Sequence, residues 1–279
     1  MTSTTLQGVR SYQRFALSNS FAKAIGDRLL LATIVGLAVG AMGFSMGPMW
    51  LALEDVIGEM ISQFPESLLA IAGGADMATA SGWYTGEMYS IVVPFAIMFV
   101  AAASAARAFG GEVENGTIGL VMSTPVRRTR LAVDKAAAMV LHVLIAAGLV
   151  GLLTWLGMVV SGIDIGFVDV LAITLMLSLV SVLIGGIAMV ISIIAGRGVL
   201  AILLAMLVAV VMYAWSSFLP MASSDLLNDL AWLSPWHHYI ASDPLGSGLD
   251  WASAALLTLL AVVPLVVGVY LFKRRDIPA

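Results

Sequence analysis

Few residues in this chain carry groups that could do chemistry, and their spacing narrows what that chemistry could be. The imidazoles are His142, His237 and His238, and there is no cysteine. Disulfides, thiolate metal sites and cysteine nucleophiles are therefore excluded. His237 and His238 have Asp225, Asp229 and Asp243 nearby. Adjacent histidines, however, lack the i,i+4 spacing that sets two metal ligands on one helix face. No nucleophile–base spacing accompanies them. No G-x-x-x-x-G-K-[ST] loop occurs, nor any Gly-Lys pair, so the chain cannot bind ATP through a P-loop of its own. The sequence assigns no catalytic, cofactor-binding or metal-ligating residue and reads as a protein that is not itself an enzyme.

What remains is a polar stretch, GGEVENGTIGLVMSTPVRRTR, from Gly110 to Arg130. Gly110 and Gly111 let the chain turn. Asn115-Gly116 is a turn signal, and Thr117 suits an N-cap. Ile118, Val121 and Met122 then share one face of a short helix. Pro125 ends it, because the residue before a proline disfavours helical angles. Arg127, Arg128, Arg130 and Lys135 follow. The spacing predicts a compact helix with an exposed apolar face, and such a face calls for a partner.

The elements that must position this segment are built for lipid. The chain is 61% hydrophobic and 11% charged, with mean hydropathy +1.02, where a soluble domain is nearer half apolar and a quarter charged. Six apolar segments reach the length of about 20 residues that a helix needs to cross a bilayer. They cover roughly 29–51, 88–107, 136–160, 168–195, 199–219 and 251–272. All are expected to be helices, since a span in lipid must satisfy its own backbone. The first is too long for a signal-peptide core and is expected to remain as a span. The thirteen Lys and Arg residues fall before the first span, between the second and third, between the fourth and fifth, and after the sixth. The alternate loops carry acids only. The positive-inside rule then makes both termini and the Gly110–Arg130 segment cytoplasmic.

Outside the spans, Leu6, Val9, Tyr12, Phe15 and Ala16 recur at three- and four-residue spacing. Residues 5–27 thus read as an amphipathic helix lying on the inner membrane surface. In the first outer loop Val56, Ile57, Met60, Ile61 and Phe64 predict one or two short helices on the outer interface. In the third, WLSPWHHY places Trp232, Trp236 and Tyr239 in the aromatic belt. Gly148, Gly151 and Gly185-Gly186 are expected to allow close helix contact. Pro94 and Pro264 are expected to kink spans two and six. His142, deep in span three, is expected to be neutral and hydrogen-bonded.

At the polar segment a resemblance becomes plain. E-x-E-x-G-T, an apolar helix, a Ser-x-Pro-Val-x-Arg turn and a Lys resemble the signature of ABC-2 type permeases, the transmembrane subunits of bacterial ATP-binding-cassette exporters. Here the pattern reads Glu112, Glu114, Gly116, Thr117, Ser123, Pro125, Val126, Arg128 and Lys135. FPESLLAIAGG at 64–74, LSPWHHYIASDPLGSGLDW at 233–251 and LFKRRDI at 271–277 are also similar to bacterial members, so the likeness covers nearly the whole chain. Trp236 stands where many members have Phe or Tyr.

The resemblance implies an all-α polytopic protein with an ABC-2 exporter-like (type V) fold. An elbow helix at 1–28 would precede a six-helix transmembrane domain at 29–279, with a coupling loop at 108–135. Its implied partners are a separate ABC ATPase subunit carrying ATP and Mg, a second permease copy or a related permease, and the lipid bilayer; no nucleic acid is implied. The implied location is the bacterial cytoplasmic membrane. The residues implied in ATPase coupling are Glu112, Glu114, Gly116, Thr117, Ile118, Val121, Met122, Pro125 and Arg128, with the two glutamates bracing the coupling helix against the elbow. In such exporters spans two and five line the path, which implicates Phe95, Met98, Phe99, Met206 and Tyr213. The implied cargo is amphipathic or hydrophobic: a drug, antibiotic, lipid or peptide. An ion-coupled secondary transporter or ion-efflux protein is the alternative, but such proteins set ionisable groups at membrane depth, and here only His142 lies there. An intramembrane enzyme built on His237, His238 and the outer aspartates is a third reading, without supporting spacing.

Overall fold

The computed structural model describes residues 20–61, 79–111, 114, 127–221 and 229–274. Among them there is no strand, and six helices are long and apolar enough to span a membrane. In chain order the helices are α1 (Ser20–Ile61), α2 (Ala80–Tyr84), α3 (Val92–Ala106), α4 (Arg128–Val160), α5 (Phe167–Ala195), α6 (Gly198–Phe218), α7 (Pro235–Ile240), α8 (Pro244–Ser247) and α9 (Trp251–Arg274). The spans are α1, α3, α4, α5, α6 and α9. One π-turn, Thr85–Tyr89, follows α2, and another, Arg107–Gly111, closes α3.

Local chemistry sets these limits. Gly196 ends α5 in the left-handed conformation (φ 67°), which costs glycine nothing. Arg197 alone then separates it from α6. Ser234 caps α7 by accepting from the Trp236 N–H at 3.2 Å, with Pro235 in the first turn. Asp250 accepts from the Ala252 and Ser253 N–H groups at 3.1 and 3.2 Å, as an N-cap does. Bonds from Ser253 and then Ala252 hold its carboxyl below the usual range.

The most enclosed span is α5. It packs on α3, α4, α6 and α9, and Ile173, Met176, Leu177, Val180 and Ile184 are fully or almost fully buried. The closest pair is α1 with α4. Their contact follows a strip of Gly36, Gly40, Gly43 and Gly47 on α1. A Cβ added at Gly36 would lie 2.9 Å from the Ala146 carbonyl oxygen, and one at Gly47 would lie 2.5 Å from that of Gly157. Gly157 in turn admits the Phe44 backbone. The spacing of four, three and four residues puts all four glycines on one face. Apolar side chains gain little by leaving lipid for each other, so such close backbone approach is what holds a pair like this together.

Several expectations are corrected in detail. Residues 20–28 are continuous with the first span rather than a separate element, and residues 1–19 lie outside the described residues. Val56 to Ile61 prolong α1 instead of starting a short interfacial helix. Span three begins at Arg128, not near 136: arginines are good helix formers and prolong the helix beyond its apolar part. At about 1.5 Å per residue, its 33 residues reach roughly 50 Å, longer than the ~30 Å hydrocarbon core. Pro94 sits in the first turn of α3, where a missing N–H costs nothing, so it opens the helix instead of bending its middle. Pro264 is inside α9, and Gly186 makes room for its ring. Gly151, Gly185 and Gly186 do face neighbours, whereas Gly148 faces open space.

Candidate functional site

At the basic end of the bundle, the chain leaves α3 through the π-turn Arg107–Gly111 and enters α4 at Arg128. Both ends of the intervening polar segment are anchored. Gly110 lies on the turn between α5 and α6: a Cβ there would be 2.8 Å from the Gly198 nitrogen and 2.9 Å from the Arg197 carbonyl carbon. Glu114 is exposed, yet its carboxylate reaches the same turn. A Cβ at Gly198 would lie 3.3 Å from Glu114 Oε2. Gly198 is the first residue of α6, so this acid meets a helix N-terminus, a placement worth about 0.3–1 kcal/mol.

The other anchor is Lys135, which is 5% exposed. A buried ammonium is costly unless it is hydrogen-bonded. Its Nζ donates to the Ala108 carbonyl in the closing turn of α3, where free carbonyls carry partial negative charge. Two rings lie beside it, Phe109 at 5.2 Å and Phe272 at 6.0 Å. These rings meet edge to face at 5.3 Å. One cation therefore ties together the end of α3, the start of α4 and the end of α9. Lys135→Met is expected to cost roughly 1.5–3 kcal/mol, the usual worth of a hydrogen bond to a charged group. Lys135→Arg should restore part of the loss, and thermal melting of the purified protein measures both.

One helical stretch further in, His142 is buried, and its Nε2 lies 2.9 Å from the Ile25 carbonyl. A carbonyl only accepts, so Nε2 carries the hydrogen. This bond, expected in kind from the sequence, joins α4 to the first turns of α1.

At the opposite, acidic end a second cluster forms. Phe95 of α3, Tyr213 of α6 and Trp236 of α7 make a triangle with ring centroids 5.3–6.1 Å apart. Tyr239 packs on Trp236 at 6.0 Å, and its hydroxyl donates to the Tyr89 carbonyl at 2.8 Å. Burial, and then the neighbouring Tyr89, raise the Tyr239 hydroxyl well above its ordinary pKa. Trp236 and Tyr239 are thus core residues, correcting their assignment to the aromatic belt. The reason is tertiary: the ends of α3 and α6 leave an aromatic-lined recess that α7 fills. Trp232 remains exposed, as a belt residue would. His238 is engaged on both ring nitrogens, 2.8 Å from the Trp232 carbonyl and 3.3 Å from Ser253 Oγ. Burial, and then His238 beside it, hold His237 below the usual imidazole range. Among the described residues no group of three or more His, Asp or Glu is arranged to hold a metal ion.

Of the residues implied in coupling, Glu114 and Arg128 are described, and both are exposed. Glu112, Gly116, Thr117, Ile118, Val121, Met122 and Pro125 lie outside the described residues. Of the path residues, Phe95 and Tyr213 meet. Met206 is partly buried on α6, Met98 is wholly buried in the core, and Phe99 faces outward. Gly110, Gly198, Phe109 and Phe272 were not singled out as site residues from sequence. Phe109 and Phe272 are distant along the chain and carry no periodic signal. Gly110 was read only as a turn.

No individual curated protein matches the sequence. Residues 17–277 match the sequence profile of the family described as ABC-2 family transporter protein. That match spans nearly the whole chain and all six membrane helices. Such permeases are membrane transport components that pair with an ABC ATPase subunit. The chain therefore belongs to the ABC-2 transporter family, as a multi-pass ABC permease.

Proposed function

We propose that this permease is the export channel of an ATP-driven transporter in a bacterial cytoplasmic membrane, with its basic end and both termini in the cytoplasm. ATP and Mg are held by the partner ATPase. The segment Ile118–Met122 docks on that partner through its apolar side chains and passes its movement into the bundle. The observation that carries the reading is the anchored junction: Gly110 and Glu114 rest on the turn between α5 and α6, so a push on the polar segment reaches α3 and α6 together. Movement of these two helices at their far ends would open the Phe95–Tyr213–Trp236 cluster, with Met206 two turns earlier on α6. The apolar lining there suits an amphipathic or hydrophobic cargo. Export needs two ATPases closing on each other, hence a second permease copy or a related one. The exposed stripe Val199, Leu203, Leu207 and Val210 on α6 is the face offered to it.

The test is co-purification. Expressed with its cognate ATPase, the chain should retain that subunit through affinity and size-exclusion steps. The double variant Ile118→Asp, Val121→Asp should reduce retention at least about tenfold, since a charge placed in an apolar contact finds no partner. An undiminished complex from that variant, with the fold intact by melting, would overturn the docking assignment.

A further inference from the structure

A groove of about 510 Å³ runs between the basic-end halves of α4 and α9. Its floor and walls include Ala136, Ala137 and Val140 on α4, with Leu265 and Val269 on α9. Alanines on one helix facing branched side chains on the other leave a channel instead of a ridge. The mouth differs in character: Thr129 and Lys273 line it. Arg274, next along the chain, lies over the Tyr270 ring at 4.5 Å. Arg130, exposed, lies near the start of α4. The channel lining is thus almost wholly apolar, and the exposed Lys273, with Arg274 next to it in the chain, stands at one end.

Its dimensions match one leaflet. From Thr129 to Val140 the helix rises roughly 16 Å at ~1.5 Å per residue. Half of a ~30 Å hydrocarbon core is about 15 Å. A membrane protein's apolar groove is not left empty, and neighbouring lipid is its nearest occupant. At the groove's basic end the exposed Lys273 stands at headgroup level, where an anionic headgroup would lie.

We infer that this groove is a binding site for an anionic phospholipid of the leaflet at the basic end. One acyl chain lies along Ala136, Ala137 and Val140, and the phosphate-bearing headgroup meets the exposed Lys273 ammonium. Basic pockets between transmembrane helices recognise lipid headgroups in this way. A second copy seated here about an axis normal to the membrane would set Lys273 against Lys273 at one depth, like charge on like. The inference rests on the basic end lying at headgroup level, which six alternating spans require. It does not depend on the direction of transport or on the ATPase.

The test uses the full chain alone, delipidated and then titrated with dioleoyl phosphatidylglycerol or dioleoyl phosphatidylcholine, with bound lipid read by native mass spectrometry. The wild type should retain one phosphatidylglycerol in preference to phosphatidylcholine. Lys273→Glu should weaken phosphatidylglycerol retention by roughly fivefold or more, given the worth of one basic residue near a membrane surface, and leave phosphatidylcholine unchanged. Ala137→Phe, which fills the channel from its exposed side, should reduce retention of both. Melting curves equal to the wild type confirm that the variants are folded. Equal retention of the two lipids, or no response to either variant, would overturn the site. So would a change of oligomeric state on Ala137→Phe without any lipid preference, which would assign the groove to a second copy. Co-purification of the ATPase is unaffected by any of these outcomes, so this inference and the proposed function fail separately.

Discussion

Gly157→Leu is expected to abolish the folded permease. The hydrogen at this position faces the Phe44 backbone of α1, and Gly47 on that helix faces the Gly157 carbonyl in return, 2.5 Å from where a Cβ would sit. Backbone cannot yield as the tip of a flexible side chain can. Overpacking costs about 1–3 kcal/mol in a soluble core, and a leucine here must push two helices apart along a strip of four contacts. The expected loss is at least about 3 kcal/mol, enough to leave little monodisperse protein in size-exclusion chromatography. Gly148→Leu is the control on the same helix. It faces open space and is exposed, so it should keep or slightly raise the melting temperature, because leucine favours helix over glycine by roughly 0.8–1 kcal/mol. Equal behaviour of the two variants would mean that the strip does not hold α1 to α4.

The second large effect is expected at Gly110. Valine there would bring a Cβ to 2.8 Å from the Gly198 nitrogen and 2.9 Å from the Arg197 carbonyl carbon. The π-turn must lift away from the turn between α5 and α6, and Glu114 loses its place at the α6 N-terminus. The bundle is held mainly by α1 with α4 and by α5 with its neighbours, so the fold should survive. The link to α6 should not. In the reconstituted complex, cargo moved per ATP hydrolysed should fall at least about tenfold, a barrier change of about 1.4 kcal/mol, with the ATPase still bound. Gly111→Ala is the matched control, because its nearest neighbour is the Arg107 side chain at 3.4 Å, which can move. Normal coupling in Gly110→Val would sink the idea that this contact transmits the push.

The span pattern was legible because lipid imposes length and apolarity on each helix separately. Five of the six spans begin or end within a few residues of where hydropathy put them. The exceptions are instructive. Span three starts early because an arginine-rich helix end outside the hydrocarbon carries no apolar signal. Span one runs on through the acidic stretch 54–61, whose apolar residues at helical spacing read as a separate short helix but continue the same one. The aromatic residues misled where tertiary structure decided. WLSPWHHY has the composition of an interfacial belt, yet Trp236 and Tyr239 fill a recess made by Phe95 and Tyr213, which no local pattern reveals. The glycine strip on α1, at 36, 40, 43 and 47, is visible in the sequence as a spacing of four, three and four, but only the fold shows that α4 is the helix it meets. Lys135 was recognised as part of a motif. Its burial between Phe109 and Phe272 depends on helices that meet only in three dimensions.

Because α1 and α4 meet through main-chain atoms at Gly36, Gly47 and Gly157, with the Leu153 and Thr154 side chains set against Gly40 and Gly43, sliding or rolling one on the other would break close contacts. They form a stator. Any cycle that opens the protein alternately to its two faces must be performed by the remaining spans, turning against this fixed post. A loosening mild enough to leave the protein folded would produce a transporter that leaks, not one that merely runs slowly.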